Sequence, residues 1–233
     1  MNRRESSAPC LAVFDCDGTL VDSQHNIVAA MAEAWRAFGL EPPVGGAVRR
    51  VVGLPLVDAI AMLFPDGERR DHIALSDLYK DAFRTLRQQP DHHEPLYPGA
   101  VETLNILEAN DVLLAVATGK SRRGLVATLD RHGLAGRFAV LKTADDAPGK
   151  PNPHMLLAAM DETGATPETT VMIGDTVFDI EMAVNARTPA IGVSWGYHDP
   201  AELVSAGASE IVERFGDVVR ATTVIWGGAD ATR

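Results

Sequence analysis

A chain of 233 residues suits one large domain, or a domain carrying an insertion, better than two equal domains. With 46% hydrophobic and 23% charged residues, it has the composition of a globular protein and not of a disordered one. Its 32 acidic against 21 basic residues give a net charge of −11, a field that repels nucleic acid and anionic membrane surfaces, so an anionic substrate would need cations placed locally.

In chain order, residues 1–9 are polar and carry no apolar stretch after Arg3 and Arg4, and no run anywhere approaches the ~20 apolar residues that span a bilayer. Neither secretion nor membrane insertion is expected. Cys10 and Cys16 lie close together near the N-terminus, where a disulfide framework would have little to staple, which fits a reducing cytoplasm. Residues 11–15 (Leu-Ala-Val-Phe-Asp) read as the first strand, almost wholly apolar as a buried parallel strand should be. From Val21 to about residue 96 there is no convincing strand: helical patterns at 26–38, 56–64 and 72–87 are punctuated by proline and glycine at 41–46 and 64–67, so this stretch reads as a helical insertion. The proline-rich segment 89–99 reads as the linker back. Short apolar runs then alternate with helical patterns: strands at 112–118, 138–141, 170–173, 190–193 and 210–212, and helices at 101–108, 124–132, 153–161, 178–186 and 201–205. Asp199-Pro200 supplies a cap and a first-turn proline for the last helix, and Gly207 its stop. Such alternation predicts an α/β fold, a doubly wound parallel sheet of residues 1–20 and 97–233, with residues 21–96 as an inserted helical unit.

The polar residues collect where strands end. Asp15-Cys16-Asp17-Gly18-Thr19-Leu20 places two carboxylates two residues apart as the chain leaves the sheet, the edge at which open α/β sheets bind ligands, although Asp-Gly alone is also a common turn. Ile173-Gly174-Asp175-Thr176-Val177-Phe178-Asp179 ends another buried strand in an acidic turn, with Asp175 and Asp179 on one face of a helix start; taken alone this is equally a capping pattern. Thr118, in Ala117-Thr118-Gly119-Lys120, ends a third strand, and Lys150 stands in Gly149-Lys150-Pro151. Each singly has a plain reading as a helix cap or a solvated charge.

Together and in this order, the four motifs resemble those of the haloacid dehalogenase-like superfamily of phosphohydrolases, over nearly the whole chain, and the helical insertion after the first motif resembles the α-helical cap of the group that includes phosphoglycolate phosphatases. The resemblance implies a Rossmann-like core with a cap that closes over the active site, and hydrolysis of a small phosphorylated metabolite with Mg²⁺. It implies Asp15 as the nucleophile that forms an aspartyl phosphate, a role open to a carboxylate ionised at neutral pH. Asp17 would protonate the leaving alkoxide and later deprotonate water, a task for a carboxyl group whose pKa its neighbours can raise. Asp15, the backbone carbonyl of Asp17 and Asp175 would be metal ligands, with Asp179 a nearby or water-mediated acidic partner. Thr118, with backbone N–H groups around Gly119, would bind the phosphoryl group, and Lys150 would neutralise its charge and steady Asp15.

The segment Arg49-Arg50-Val51-Val52-Gly53-Leu54-Pro55-Leu56 resembles the cap specificity loop of the phosphoglycolate phosphatase group: Gly53 would let backbone approach a small ligand, and Arg49 or Arg50 would pair with a substrate carboxylate, against the plain reading of solvated helix charges. Asp17 argues against a dehalogenase. Lys80, the lone lysine between residues 21 and 97, lies well after the segment where a phosphonoacetaldehyde hydrolase carries its Schiff-base lysine. A sugar-phosphate mutase shares the core motifs, and a phosphometabolite-binding regulatory protein is the reading from another class, opposed by a complete set of competent residues. Pyrophosphate and nucleoside monophosphates stay open as substrates. The seven histidines show no metal-ligand spacing. Cys16, between the two aspartates, points away from them into packing, and Trp35 falls on the buried face of a cap helix.

Overall fold

The computed structural model describes residues 8–89, 92–146 and 148–230. Residues 1–7 of the polar N-terminal segment and residues 90 and 91 of the linker read from the sequence lie outside that set. Six parallel strands, β1 (Leu11–Phe14), β2 (Leu113–Ala117), β3 (Val140–Lys142), β4 (Thr170–Gly174), β5 (Ala190–Val193) and β6 (Glu210–Val212), form one sheet in the order β3-β2-β1-β4-β5-β6. This is the doubly wound, Rossmann-like order, with β1 central and paired with both β2 and β4. Strand β3 begins two residues later than the apolar run from Phe138, because pairing with β2 starts at Val140.

Alternation of side chains along β1 divides the core. Ala12 and Phe14 face one layer, where they pack with Leu104 and Leu107 of α5 (Ala100–Ala109), Leu125 and Leu129 of α6 (Arg122–Arg131), and Val218 and Ala221 of α10 (Asp217–Asp230). Leu11 and Val13 face the other, with Met155 and Leu156 of α7 (His154–Thr163), Ile180 and Ala183 of α8 (Val177–Asn185), and Leu203 of α9 (Pro200–Ala206). Burial on both faces is why these strands read as unbroken apolar runs.

Between β1 and α5 the chain makes four helices, α1 (Gln24–Phe38), α2 (Gly45–Val51), α3 (Leu56–Leu63) and α4 (Arg69–Arg87), with a core of their own around Ile27, Trp35, Val48, Ile60, Leu75 and Phe83. This is the helical cap. Its two connections meet the core side by side: Val21 bridges Leu96, and the Asp22 amide donates to the Pro95 carbonyl at 2.8 Å. Helix α4 starts three residues before its apolar pattern because Glu68 and Asp71 form a capping box, with the Glu68 amide donating to Asp71 at 3.0 Å. Two helices carry no usable sequence signal. Helix α2 opens on Gly45-Gly46, poor helix formers, without a capping side chain, and is fixed by burial of Val48 and Val51. Helix α10 is likewise held by docking of Val218 and Ala221 on the sheet. Among the described residues, no helix is long and apolar enough to cross a membrane.

Candidate active site

The carboxyl ends of the three central strands β2, β1 and β4 deliver Thr118, Asp15 and Asp175 to one place, the switch point of the sheet. Asp15 follows β1 directly and is buried. Lys150, from the segment before α7, donates to Asp15 Oδ1 at 2.7 Å and lies 2.5 Å from Asp179 Oδ1. The other Asp179 oxygen caps α8, accepting from the Thr176 amide at 3.0 Å and the Thr176 hydroxyl at 2.7 Å. Asp175 accepts from the Thr19 hydroxyl at 2.7 Å on one oxygen and from the Tyr197 amide at 2.9 Å on the other. The loop after β1 can come this close to Asp175 only without a side chain: at Gly18 (φ +88°) a Cβ would fall 2.3 Å from Asp175 Oδ2.

Asp15, Asp175 and Asp179 are all buried, and each offers a carboxylate oxygen within 4.8 Å of the others. Lys150 is their one direct cationic partner among the described residues, so the cluster holds an excess of two negative charges. Burial, reinforced by Asp179 and Asp17 and opposed by Lys150, lifts the Asp15 carboxyl to about 6. Burial, with Asp15 and Asp179, pushes Asp175 well above the ordinary carboxylate range. Lys150 is raised despite its burial, because Asp15 and Asp179 favour its charged form. Oxygen ligands with a surplus of buried negative charge are the environment a hard divalent cation neutralises, and the donor set fits one.

Asp17 departs from expectation. Burial works to raise its pKa, but Lys120 Nζ donates to both of its oxygens (2.6 and 2.8 Å), and the Ser23 hydroxyl donates to Oδ1 at 2.6 Å, so the carboxyl is held below its ordinary value rather than raised. Lys120, two residues after Thr118, is the main addition to the sequence reading. Its signal was a cation beside a strand-end motif, but its partner lies 103 positions away in sequence, and only folding joins them. Lys120 Nζ also lies 3.9 Å from Glu94, a buried residue of the connection back from the cap, which sits 3.7 Å from Arg87 and 3.3 Å from His92. The segment following β5 braces the connection after β1: Tyr197 Oη lies 3.1 Å from the Ser23 hydroxyl, and Trp195 Nε1 donates to the Thr19 carbonyl at 3.1 Å.

A cavity of about 620 Å³ lies between cap and core, with Asp15, Asp17, Thr118, Gly119, Lys120 and Gly53 among the residues lining it. Lys150, Asp175 and Asp179 are buried outside its wall. Gly53 (φ +102°) carries the cap loop onto the core, and a Cβ on Gly119 would fall 2.8 Å from the Gly53 carbonyl oxygen and 3.0 Å from that of Leu54. The two cap arginines do not line the cavity. Arg50 forms an exposed ion pair with Glu202 of α9 at 2.7 Å, and Arg49 donates to Gln24 Oε1 at 3.1 Å. Their side chains leave α2 toward α9 and α1 and so stand away from the cavity in which a substrate carboxylate was expected to meet them.

The family model described as haloacid dehalogenase-like hydrolase matches residues 12–193. The protein named Probable phosphatase IndB of Dickeya dadantii is 39% identical over 91% of this chain and 92% of its own length. A phosphoglycolate phosphatase of Agrobacterium fabrum is 32% identical over 81% and 82%. The crystal structure of a hydrolase from Pseudomonas syringae, 28% identical, superposes with a TM-score of 0.79 over 91% of this chain and 96% of that one. The chain belongs to the haloacid dehalogenase-like hydrolase family. Within it, the helical cap and these relatives place it in the phosphoglycolate phosphatase-like branch, among the phosphoric monoester hydrolases.

Proposed function

We propose that this chain hydrolyses small phosphomonoesters with Mg²⁺ through an aspartyl phosphate on Asp15. The observation that carries the reading is Asp15 itself: a carboxylate at the switch point of the sheet, facing the cavity beside Asp17 and Thr118, and held from behind by Lys150. A carboxylate oxygen of Asp15 attacks phosphorus, the ester P–O bond breaks, and the leaving alkoxide takes a proton from Asp17. Water then attacks the phosphorus of the acyl phosphate and gives a proton to Asp17, the bond between phosphorus and the Asp15 oxygen breaks, and phosphate leaves with the Asp15 carboxylate restored. The Thr118 hydroxyl and the Gly119 amide would donate to the non-bridging oxygens, and Lys150 would offset charge on Asp15. Asp15, the Asp17 carbonyl and Asp175 would hold the metal, with Asp179 orienting Lys150; when bound, the ion offsets the charge shared by carboxylate and phosphoryl group. The Lys120 pair keeps Asp17 ionised, the form that takes a proton from water, so its acid step requires Lys120 to yield. A cytoplasmic location is part of the same reading, supported by the buried thiol of Cys16.

Phosphate release from a panel of esters, phosphoglycolate first because relatives carry that name, tests this reading with Mg²⁺ and with chelator. The expected outcome is turnover that chelator stops and that Asp15→Asn lowers by about 10⁴-fold or more. Turnover surviving Asp15→Asn overturns the nucleophile, and isomerised sugar phosphate without phosphate release would make the enzyme a mutase.

A further inference from the structure

The wall of the cavity does not match a two-carbon acid. Opposite Asp15 and Asp17 the cap presents Ile27, Met31, Val48, Leu56, Tyr79 and Phe83, side chains from all four cap helices, around about 620 Å³. That is the size and lining of pockets that enclose an organic group of many atoms, whereas phosphoglycolate would leave most of this apolar surface against water. Among the described residues no deep cation is free for a small carboxylate; Arg123 of α6, which also lines the cavity, is exposed at its mouth. Lys120 is already matched by Asp17 and Glu94, and Arg87 by Glu94, with a further hydrogen bond to the Thr128 hydroxyl at 2.9 Å. Arg49 and Arg50 point elsewhere. Lys80 and Arg84, which reach the cavity mouth, are exposed and paired with Asp77 and Asp81 on their own helix.

From this lining and this charge balance we infer that the preferred substrate is the phosphate ester of an alcohol bearing an apolar ring, with the ring seated against Val52, Leu56, Tyr79 and Phe83 and the phosphate at Asp15. The inference rests on the phosphatase reading above and names the leaving group it acts on. The bond cleaved is the same ester P–O bond, and the products are phosphate and the ring-bearing alcohol. Because the ring is buried in ground state and transition state alike, its contribution appears in kcat/KM.

Three esters whose leaving alcohols are all unactivated separate the possibilities: 2-phenylethyl phosphate, ethyl phosphate and phosphoglycolate, assayed by phosphate release with Mg²⁺ on wild type, Asp15→Asn and Leu56→Asn. The expected result is a kcat/KM for 2-phenylethyl phosphate about 10- to 100-fold above both others, the range that burial of one ring surface supports. Leu56→Asn should reduce that ratio by about 10-fold, and melting of each variant alongside wild type establishes that it is folded. Val52→Gln serves the same purpose should Leu56→Asn fail to fold. Phosphoglycolate or ethyl phosphate turned over as well as the phenylethyl ester overturns the inference and leaves the phosphatase reading standing. Absence of Asp15-dependent phosphate release from all three and from the wider panel overturns both.

Discussion

The floor and the roof of the cavity are built on opposite principles. On and beneath the floor, each carboxylate is held by charged or hydrogen-bonding partners, most of them distant in sequence: Lys150 to Asp15 and Asp179, Thr19 and Tyr197 to Asp175, Lys120 and Ser23 to Asp17. In the roof, apolar side chains of four helices meet the cavity, and the charged groups near it are matched among themselves. Buried charge tolerates little displacement, because a lost partner leaves its full desolvation cost, so the floor is suited to one chemistry. An apolar wall can exchange one side chain for another of similar volume at small cost, which suits it to choosing among leaving groups.

Substitutions in the floor should therefore depress all alkyl esters together, whereas those in the roof should change their ratios. After Asp15→Asn, the largest effect is expected from Asp17→Asn, about 10²- to 10⁴-fold in kcat. If Asp17 is the acid, the loss should be greatest for alkyl esters and smallest for aryl esters with acidic leaving groups, measured as kcat against leaving-group pKa; equal losses would remove the acid role. Lys150→Ala leaves Asp15 and Asp179 without their shared cation and should cost about 3–5 kcal/mol of stability. In thermal melts, that corresponds to a Tm lower by about 6–20 °C for a chain of this size. A divalent cation should restore part of the loss if the three carboxylates bind it, and failure to do so would count against that donor set. Gly119→Ala forces apart the Gly53 and Gly119 backbones where cap meets core, and about 10-fold or more in kcat/KM should be lost with the Tm changed little. Arg50→Ala should be the mildest. Its ion pair with Glu202 is exposed and screened by water, so kcat/KM for phosphoglycolate should hold within about twofold. A tenfold loss confined to phosphoglycolate would return Arg50 to substrate binding.

Much of the floor could be read from the chain because its groups announce themselves locally. Asp15, Thr118 and Asp175 each end an apolar run, and a buried parallel strand is such a run. The same local logic misled at Asp17, whose neighbouring carboxylate suggests a raised pKa until Lys120 arrives from the end of β2. At Arg49 and Arg50 a cationic pair next to a glycine loop points to an anion, while the fold directs both side chains to Gln24 and Glu202, away from the cavity lining. Ser23 and Tyr197 carry no motif of their own, and Thr19 stands in the first motif with no role assigned from sequence. They matter through hydrogen bonds to Asp17 and Asp175.

Strand and helix periodicity, the strand-end carboxylates and the break in alternation between β1 and α5 are properties of short stretches, and the parallel sheet, its helical insertion and the residue types available for chemistry follow from them. Which groups pair, how a carboxylate is poised, and what surface faces the cavity depend on contacts between positions as distant as Asp15 and Lys150 or Asp17 and Lys120. Those were decided by the tertiary structure alone, because burial removes the water that would otherwise leave each charge independent of the others.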